Sequence, residues 1–115
     1  MDVVNRPVLL LVEDDDMVRH VTADLLADLG YAVREAASAA AALALLDGAV
    51  RVLVADMRLP DADGRELARQ ARRQVPDLAV VIASGDAGEE SGAVWLTKPY
   101  TAAQLRAALA EVGKG

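Results

Sequence analysis

Cysteine is absent from the 115 residues of this chain, which excludes disulfides and thiolate chemistry and suits a cytoplasmic protein. Phenylalanine is absent too, and there are only one Trp and two Tyr, so a core drawn from 54% apolar residues must be aliphatic, filled by Ala, Val and Leu. No apolar stretch is long enough to span a bilayer, and the opening Met1-Asp2-Val3-Val4-Asn5-Arg6 lacks the charged-then-apolar pattern of a secretory signal, so no membrane partner is expected. Basic residues are outnumbered, 12 Lys and Arg against 18 Asp and Glu. The net charge of -6 argues against a nucleic-acid surface and leaves proteins and cations as the expected partners. The length is near the modal domain size, and there is no repeat, linker or low-complexity tract. A single domain over residues 1–115 is expected, with Gly113-Lys114-Gly115 as a flexible tail.

What the chain does contain is a pair of apolar runs that each end on acid. Val8-Leu9-Leu10-Leu11-Val12 runs into Glu13-Asp14-Asp15-Asp16, and Val52-Leu53-Val54-Ala55 runs into Asp56. Short branched apolar runs bounded by polar residues read as strands buried on both faces, as in a parallel sheet. The carboxyl ends of such strands form the ligand crevice of open α/β sheets, so Glu13, Asp14 and Asp56 should converge there. Clustered carboxylates repel one another, and a hard cation such as Mg2+ stabilises them while accepting a phosphoryl oxygen.

Strands and helices alternate along the chain. Val18, Val21, Leu25 and Leu29 recur at helical spacing with Leu26 beside them, predicting the inward face of a first helix that Gly30 closes. Tyr31 to Glu35 predicts a short strand, and Ser38 caps an Ala- and Leu-rich helix through Leu46. A third strand spans Val50 to Ala55. Asp63 or Gly64 opens a helix with Leu67 and Ala71 inward and Pro76 beyond its end. Leu78 to Ala83 and Ala93 to Leu96 predict the last two strands, and Thr101 caps a final helix with Leu105, Leu109 and Val112 on one face. This alternation implies right-handed crossovers and a parallel sheet.

The ordered set of these features resembles the receiver domain of two-component response regulators. The strings that carry the resemblance are Leu11-Val12-Glu13-Asp14-Asp15, Asp56-Met57-Arg58-Leu59-Pro60 with Asp63-Gly64 following, Ser84 at the end of the fourth strand, and Thr97-Lys98-Pro99-Tyr100. They span nearly the whole chain. The resemblance implies a doubly wound, flavodoxin-like sheet of strand order 2-1-3-4-5 with helices on both faces. It also implies a phosphoacceptor switch rather than an enzyme acting on free substrate, with Asp56 modified by a sensor histidine kinase or a phosphotransfer protein. Position by position, Glu13, Asp14 and Asp56 would hold Mg2+ with the backbone carbonyl of Arg58, and Lys98 and Ser84 would contact the phosphoryl group.

Each of those residues also has a plainer reading. Lys98 could be a solvated loop lysine, and Ser84 a strand-end hydroxyl bonding its own backbone. Trp95 falls where receivers place a switch aromatic, usually Tyr or Phe, and could equally be a half-buried core residue. His20 reads as a surface residue, Asp61 as a turn residue and Asp63 as a helix cap. The chain departs from the family between Ser84 and Lys98, where residues 85–97 leave no room for a regular fourth helix once a strand is subtracted. A loop or single turn is expected there, mobile across Gly85 to Gly92. An aspartate-nucleophile phosphatase or phosphotransferase would use similar acids and a lysine. Against it stand the absence of a second Asp two positions after Asp56 and of any insertion to enclose a substrate.

Overall fold

The alternation becomes, in a computed structural model describing residues 6–86, 88 and 92–112, an ordered series of strands and helices. They are β1 (Val8–Val12), α1 (Asp16–Asp28), β2 (Ala32–Ala36), α2 (Ala39–Leu45), β3 (Val50–Asp56), α3 (Gly64–Gln74), β4 (Ala79–Ser84), β5 (Ala93–Thr97) and α4 (Ala102–Val112). The strands form one sheet in the order β2-β1-β3-β4-β5, every neighbouring pair parallel. This is the expected doubly wound, flavodoxin-like fold.

Successive strand residues point to opposite faces, so one strand feeds two cores. Leu10 and Val12 of β1 join Leu53, Val80 and Ile82 beneath α2 and α3, where Ala39, Ala42, Leu67 and Ala71 close the layer. Leu9 and Leu11 join Val52, Val54 and Val81 beneath α1 and α4, against Leu26, Leu105 and Leu109. Both cores are aliphatic except where Trp95 packs at the rim of the first and Tyr31 and Tyr100 at the rim of the second.

Side-chain caps account for where the helices begin. Asp15, Ser38 and Asp63 each accept a backbone N–H from the first turn of α1, α2 and α3. Thr101 and Gln104 exchange side-chain and backbone hydrogen bonds at the start of α4, a capping box. Helix α1 ends as predicted on Gly30, whose φ of 103° only glycine adopts readily. The N–H groups of Gly30 and Tyr31 return to Ala27 and Leu26.

One sequence expectation is corrected. The buried face of α1 is Thr22, Ala23 and Leu26, with Leu25 and Leu29 packed beside it as expected, while Val18 and Val21 are 39% and 56% exposed and Met17 is 76% exposed. Arg19 sets this rotation, because its guanidinium donates to the Glu13 carbonyl at 2.9 Å and faces Glu35 at 3.4 Å. Turning Arg19 toward the sheet edge turns Val18 and Val21 away from it.

β4 ends at Ser84 and β5 opens at Ala93; of the residues between them Gly85, Asp86, Gly88 and Gly92 are described, and none lies in a helix. The mobility expected for Gly85 to Gly92 therefore falls partly outside the described residues, and that of the tail Gly113 to Gly115 wholly outside.

Candidate functional site

Register brings the acids together. Val12 pairs with Ala55, so the residues that follow them, Glu13 and Asp56, leave adjacent strands at the same level of the sheet edge. The carboxylates of Glu13, Asp14 and Asp56 offer oxygens that all lie within 4.8 Å of one another. The other acids of the first run have different work. Asp15 caps α1, and Asp16 pairs with Arg19 at 2.7 Å.

Lys98 enters this cluster from the loop after β5. Its backbone N–H donates to the Ser84 carbonyl at 2.7 Å, which places the loop, and the Lys98-Pro99 peptide is cis. Its ammonium Nζ lies 2.8 Å from Glu13 Oε1 and 3.2 Å from Asp56 Oδ2. Burial by itself lowers the pKa of the ammonium, but the hydrogen bond to Glu13 and the charges of Asp56 and Glu13 outweigh it and hold Lys98 above its ordinary range. Lys98 is thus a partly buried, paired cation and not a solvated loop lysine.

Three carboxylates and one ammonium leave two formal negative charges in one crevice. Glu13 is held at both oxygens, Oε1 accepting from Lys98 and Oε2 accepting the Asp15 N–H at 3.1 Å, and each keeps a second lone pair for a cation. Asp14 is exposed and open to solvent, and Asp56 is half-buried. The donor set is all oxygen, its residual charge matches a divalent ion, and its open side leaves room for waters. These are the preferences of Mg2+.

Ser84 and Trp95 stand on the other side of Asp56. Ser84 is buried, and its Oγ accepts the Asp86 N–H at 3.2 Å, the strand-end geometry that its plainer reading describes. Trp95 is half-buried, and its indole N–H donates to the Asp86 carbonyl at 3.0 Å. Gly88 lies so close to the indole that a Cβ there would come within 2.7 Å of the ring. Asp86 therefore links Ser84 to Trp95, a connection that sequence reasoning missed because nothing in a lone Asp after a strand announces it. Met57, Leu59, Ala62, Ser84 and Trp95 line a cleft of about 620 Å³ here, with Arg58 and Arg65 at its rim.

Arg58 sits two residues beyond Asp56, its exposed guanidinium 3.6 Å from Asp86. His20 is a surface side chain, 66% exposed, facing Glu35. Asp63 is a helix cap as expected. Asp61 does more than turn the chain: its two carboxylate oxygens accept the Ala39 and Ala40 N–H groups at the start of α2. Those hydrogen bonds hold its carboxyl below the ordinary range.

A second feature invisible in the sequence adjoins the site. The exposed residues Met17, Val18 and Val21 face Lys98, Pro99 and Tyr100 across a largely apolar groove of about 580 Å³, floored by Thr22 and Leu25. The Thr22 and Tyr100 hydroxyls lie 3.4 Å apart within it. Lys98 lines both the groove and the acidic crevice, so the two are contiguous.

The family model of the response regulator receiver domain matches residues 9–110. The sensor kinase CckA of Brucella abortus is 33% identical over 96% of this chain, which covers 13% of that protein. The alginate biosynthesis transcriptional regulatory protein AlgB of Pseudomonas putida is 35% identical over 93% of this chain, which covers 26% of that protein. The chain thus spans a minor part of these relatives' length. The crystal structure of a response regulator receiver protein from Sinorhizobium medicae superposes with a TM-score of 0.88 at 28% identity, covering 97% of this chain and 98% of that one.

Proposed function

Because the chain belongs to the response regulator receiver family, a family of phosphoacceptor signalling domains, we propose that its Asp56 carboxylate takes up the phosphoryl group. The donor would be the phosphohistidine of a sensor kinase or phosphotransfer protein. What carries this reading is the placement of Asp56 within one crevice beside Glu13, Asp14 and the Lys98 ammonium. Glu13, Asp14, Asp56 and the Arg58 backbone carbonyl would hold Mg2+, which when bound neutralises charge on the transferring oxygens.

The chain's own residues supply the rest. An Asp56 oxygen forms the bond to phosphorus as the bond to the donor nitrogen breaks, and the leaving imidazole keeps the electron pair. Lys98 shifts from the bare Asp56 carboxylate to the phosphoryl oxygens, a charge-assisted contact. Ser84 accepts a hydrogen bond from Asp86 and so keeps its own hydroxyl proton for a phosphoryl oxygen. Movement of Ser84 would pass through Asp86 to Trp95, which makes Trp95 the switch residue. The product stays attached to Asp56, so the domain assists its own modification without turning over a free substrate, and the aspartate-nucleophile phosphatase alternative falls with the family assignment.

The apolar groove along α1 supports a protein donor. It opens beside Lys98 and could seat an apolar helix while its histidine reaches Asp56. Residues 1–115 would act as one receiver unit of the reduced-fourth-helix kind, in the cytoplasm, with no nucleic-acid or membrane contact of its own. Incubation with Mg2+ and a small phosphodonor should raise the intact mass by one phosphoryl group. Asp56→Asn should abolish the gain, as should chelation of the metal; modification that persists in either case refutes the assignment.

A further inference from the structure

The segment after β3 is a tight hairpin that carries Arg58. The Gly64 N–H donates to the Met57 carbonyl at 2.8 Å, the Leu59 N–H donates to the Ala62 carbonyl at 3.1 Å, and Arg58 and Asp63 pair as an antiparallel bridge. These contacts close the hairpin on itself. Its tip is held by Asp61, whose Oδ1 and Oδ2 accept the Ala39 and Ala40 N–H groups, each at 2.9 Å. Helix α2 already has its own cap, the Ser38 hydroxyl accepting from Ala41 at 3.1 Å. Ser38 satisfies only one of the unpaired N–H groups of that first turn and Asp61 satisfies two others, so the helix start and the hairpin tip are joined by a pair of hydrogen bonds.

The contact closes a circuit. The Glu13 N–H donates to the carbonyl of Ala36, the last residue of β2, at 3.0 Å. From Ala36 the chain runs directly into the first turn of α2, then through Asp61 into the hairpin, and back along it past Arg58 to Asp56. Glu13 and Asp56, at the two ends, share the Lys98 ammonium. A backbone carbonyl has no rotamer of its own, so its position is set by the loop that carries it.

We propose that Asp61 is a positioning residue for the cation site, clamping the hairpin tip to α2 and thereby fixing where the Arg58 carbonyl stands relative to Glu13 and Asp14. This rests on the reading of that carbonyl as a cation ligand. Partners hydrogen-bonded directly to a metal ligand commonly carry about a tenfold or larger share of metal affinity, and Asp61, which acts one step further out through the hairpin, should carry less.

Titration of the whole chain with Mg2+, followed by calorimetry and by Trp95 fluorescence, tests the role. Asp61→Ala is expected to weaken Mg2+ by about three- to fivefold, short of the roughly tenfold of a partner bonded to the ligand itself. Ser38→Ala, which removes a cap from the same helix end without touching the hairpin, should change the affinity by less than about twofold. Asp61→Asn keeps one acceptor oxygen and should fall between, and it carries the comparison if Asp61→Ala does not fold. Wild-type affinity in both Asp61 variants, or an equal loss in Ser38→Ala, overturns the proposal. Wild-type Mg2+ binding that is indifferent to Asp14→Asn would instead overturn the cation-site reading, and this inference with it.

Discussion

Replacing Gly64 by alanine probes the contact that seats α3 on the end of β3, which presents Asp56. An ideal Cβ at Gly64 would lie 2.7 Å from the Asp56 carbonyl oxygen, 3.2 Å from Met57 Cα and 3.3 Å from the Asp56 carbonyl carbon. All three are backbone atoms of the strand end that presents the Asp56 side chain, and none can rotate away. Two effects compete. Alanine in place of glycine within a helix gains up to about 1 kcal/mol, less at a first helical position. Forcing a methyl into a packed site costs about 1–3 kcal/mol. A carbon-oxygen approach of 2.7 Å demands a shift of several tenths of an ångström, so the cost wins and a net loss of about 1–2 kcal/mol is expected. Gly48→Ala is the control: nothing lies within 4 Å of its Cβ and its φ is not positive, so that change should be neutral or stabilising by up to about 1 kcal/mol. Urea unfolding measures both. The displaced strand end should also slow phosphorylation of Gly64→Ala by a small phosphodonor at saturating Mg2+, whereas Gly48→Ala keeps the wild-type rate. If Gly64→Ala is as stable as wild type and reacts as fast, α3 can slide without moving Asp56, and the reasoning from this contact is wrong.

Four further outcomes follow from the same geometry. Lys98→Ala removes the only cation described inside the acidic crevice; because that side chain is 28% exposed, the loss in the absence of Mg2+ should fall short of the about 3–5 kcal/mol of a fully buried pair, while a mass shift with little change in Trp95 fluorescence would mark acceptance of phosphate without response. Asp14→Asn relieves like-charge repulsion and should raise the melting temperature in a chelator, yet abolish the further rise that Mg2+ gives wild type. Val21→Glu, placed in the groove and not in the crevice, should slow transfer from a phosphohistidine protein at least tenfold and leave reaction with a small phosphodonor unchanged; equal loss with both donors would refute a docking role. Stability should also fall at both ends of the pH range. Lys98 is raised in the folded state, so its contribution is complete below its ordinary value of 10.5 and lost as pH rises through the higher folded value. Asp61, and Asp47 in the turn after α2, where it accepts the Ala49 N–H and pairs with Arg34, are both lowered, so theirs is present above the ordinary value of 3.8 and lost as pH falls through the lower folded values. Unfolding curves across both ranges check the signs, with Lys98→Ala flattening the alkaline limb and Asp61→Ala the acid one.

Much of the site was legible because its elements are local. An apolar run that stops on acid states both a strand and where its end lies, and parallel register then forces Glu13 and Asp56 to the same level. Capping is equally local, which is why Ser38, Asp63, Thr101 and Gly30 stand where the sequence places them. What escaped are contacts between segments distant in the chain. Asp61 reads as a turn residue because its partners Ala39 and Ala40 lie more than twenty positions earlier. The link from Asp86 to Trp95 runs from a backbone carbonyl to an indole N–H, and a carbonyl is the same for every residue type.

The error on α1 has a different origin and is the more instructive one. Helical periodicity counts apolar residues and assumes that the face they mark is the face the core takes. Here one polar side chain overrules the count: Arg19 reaches the Glu13 carbonyl and Glu35, and α1 turns about that anchor until Ala23 and Leu26 meet the sheet. The residues left outside are not scattered. Met17, Val18 and Val21 collect opposite Pro99 and Tyr100, on the side where Lys98 reaches the acidic crevice. Burying that face would gain stability at about 25 cal/mol per Å2 of apolar surface, so its exposure is a cost the fold carries beside the acidic crevice. Departures of this sort from local rules gather at functional surfaces. The anchor that exposes the face also donates to the backbone of Glu13, so the helix rotation that opens the groove and the placement of Glu13 beside Lys98 share the same guanidinium.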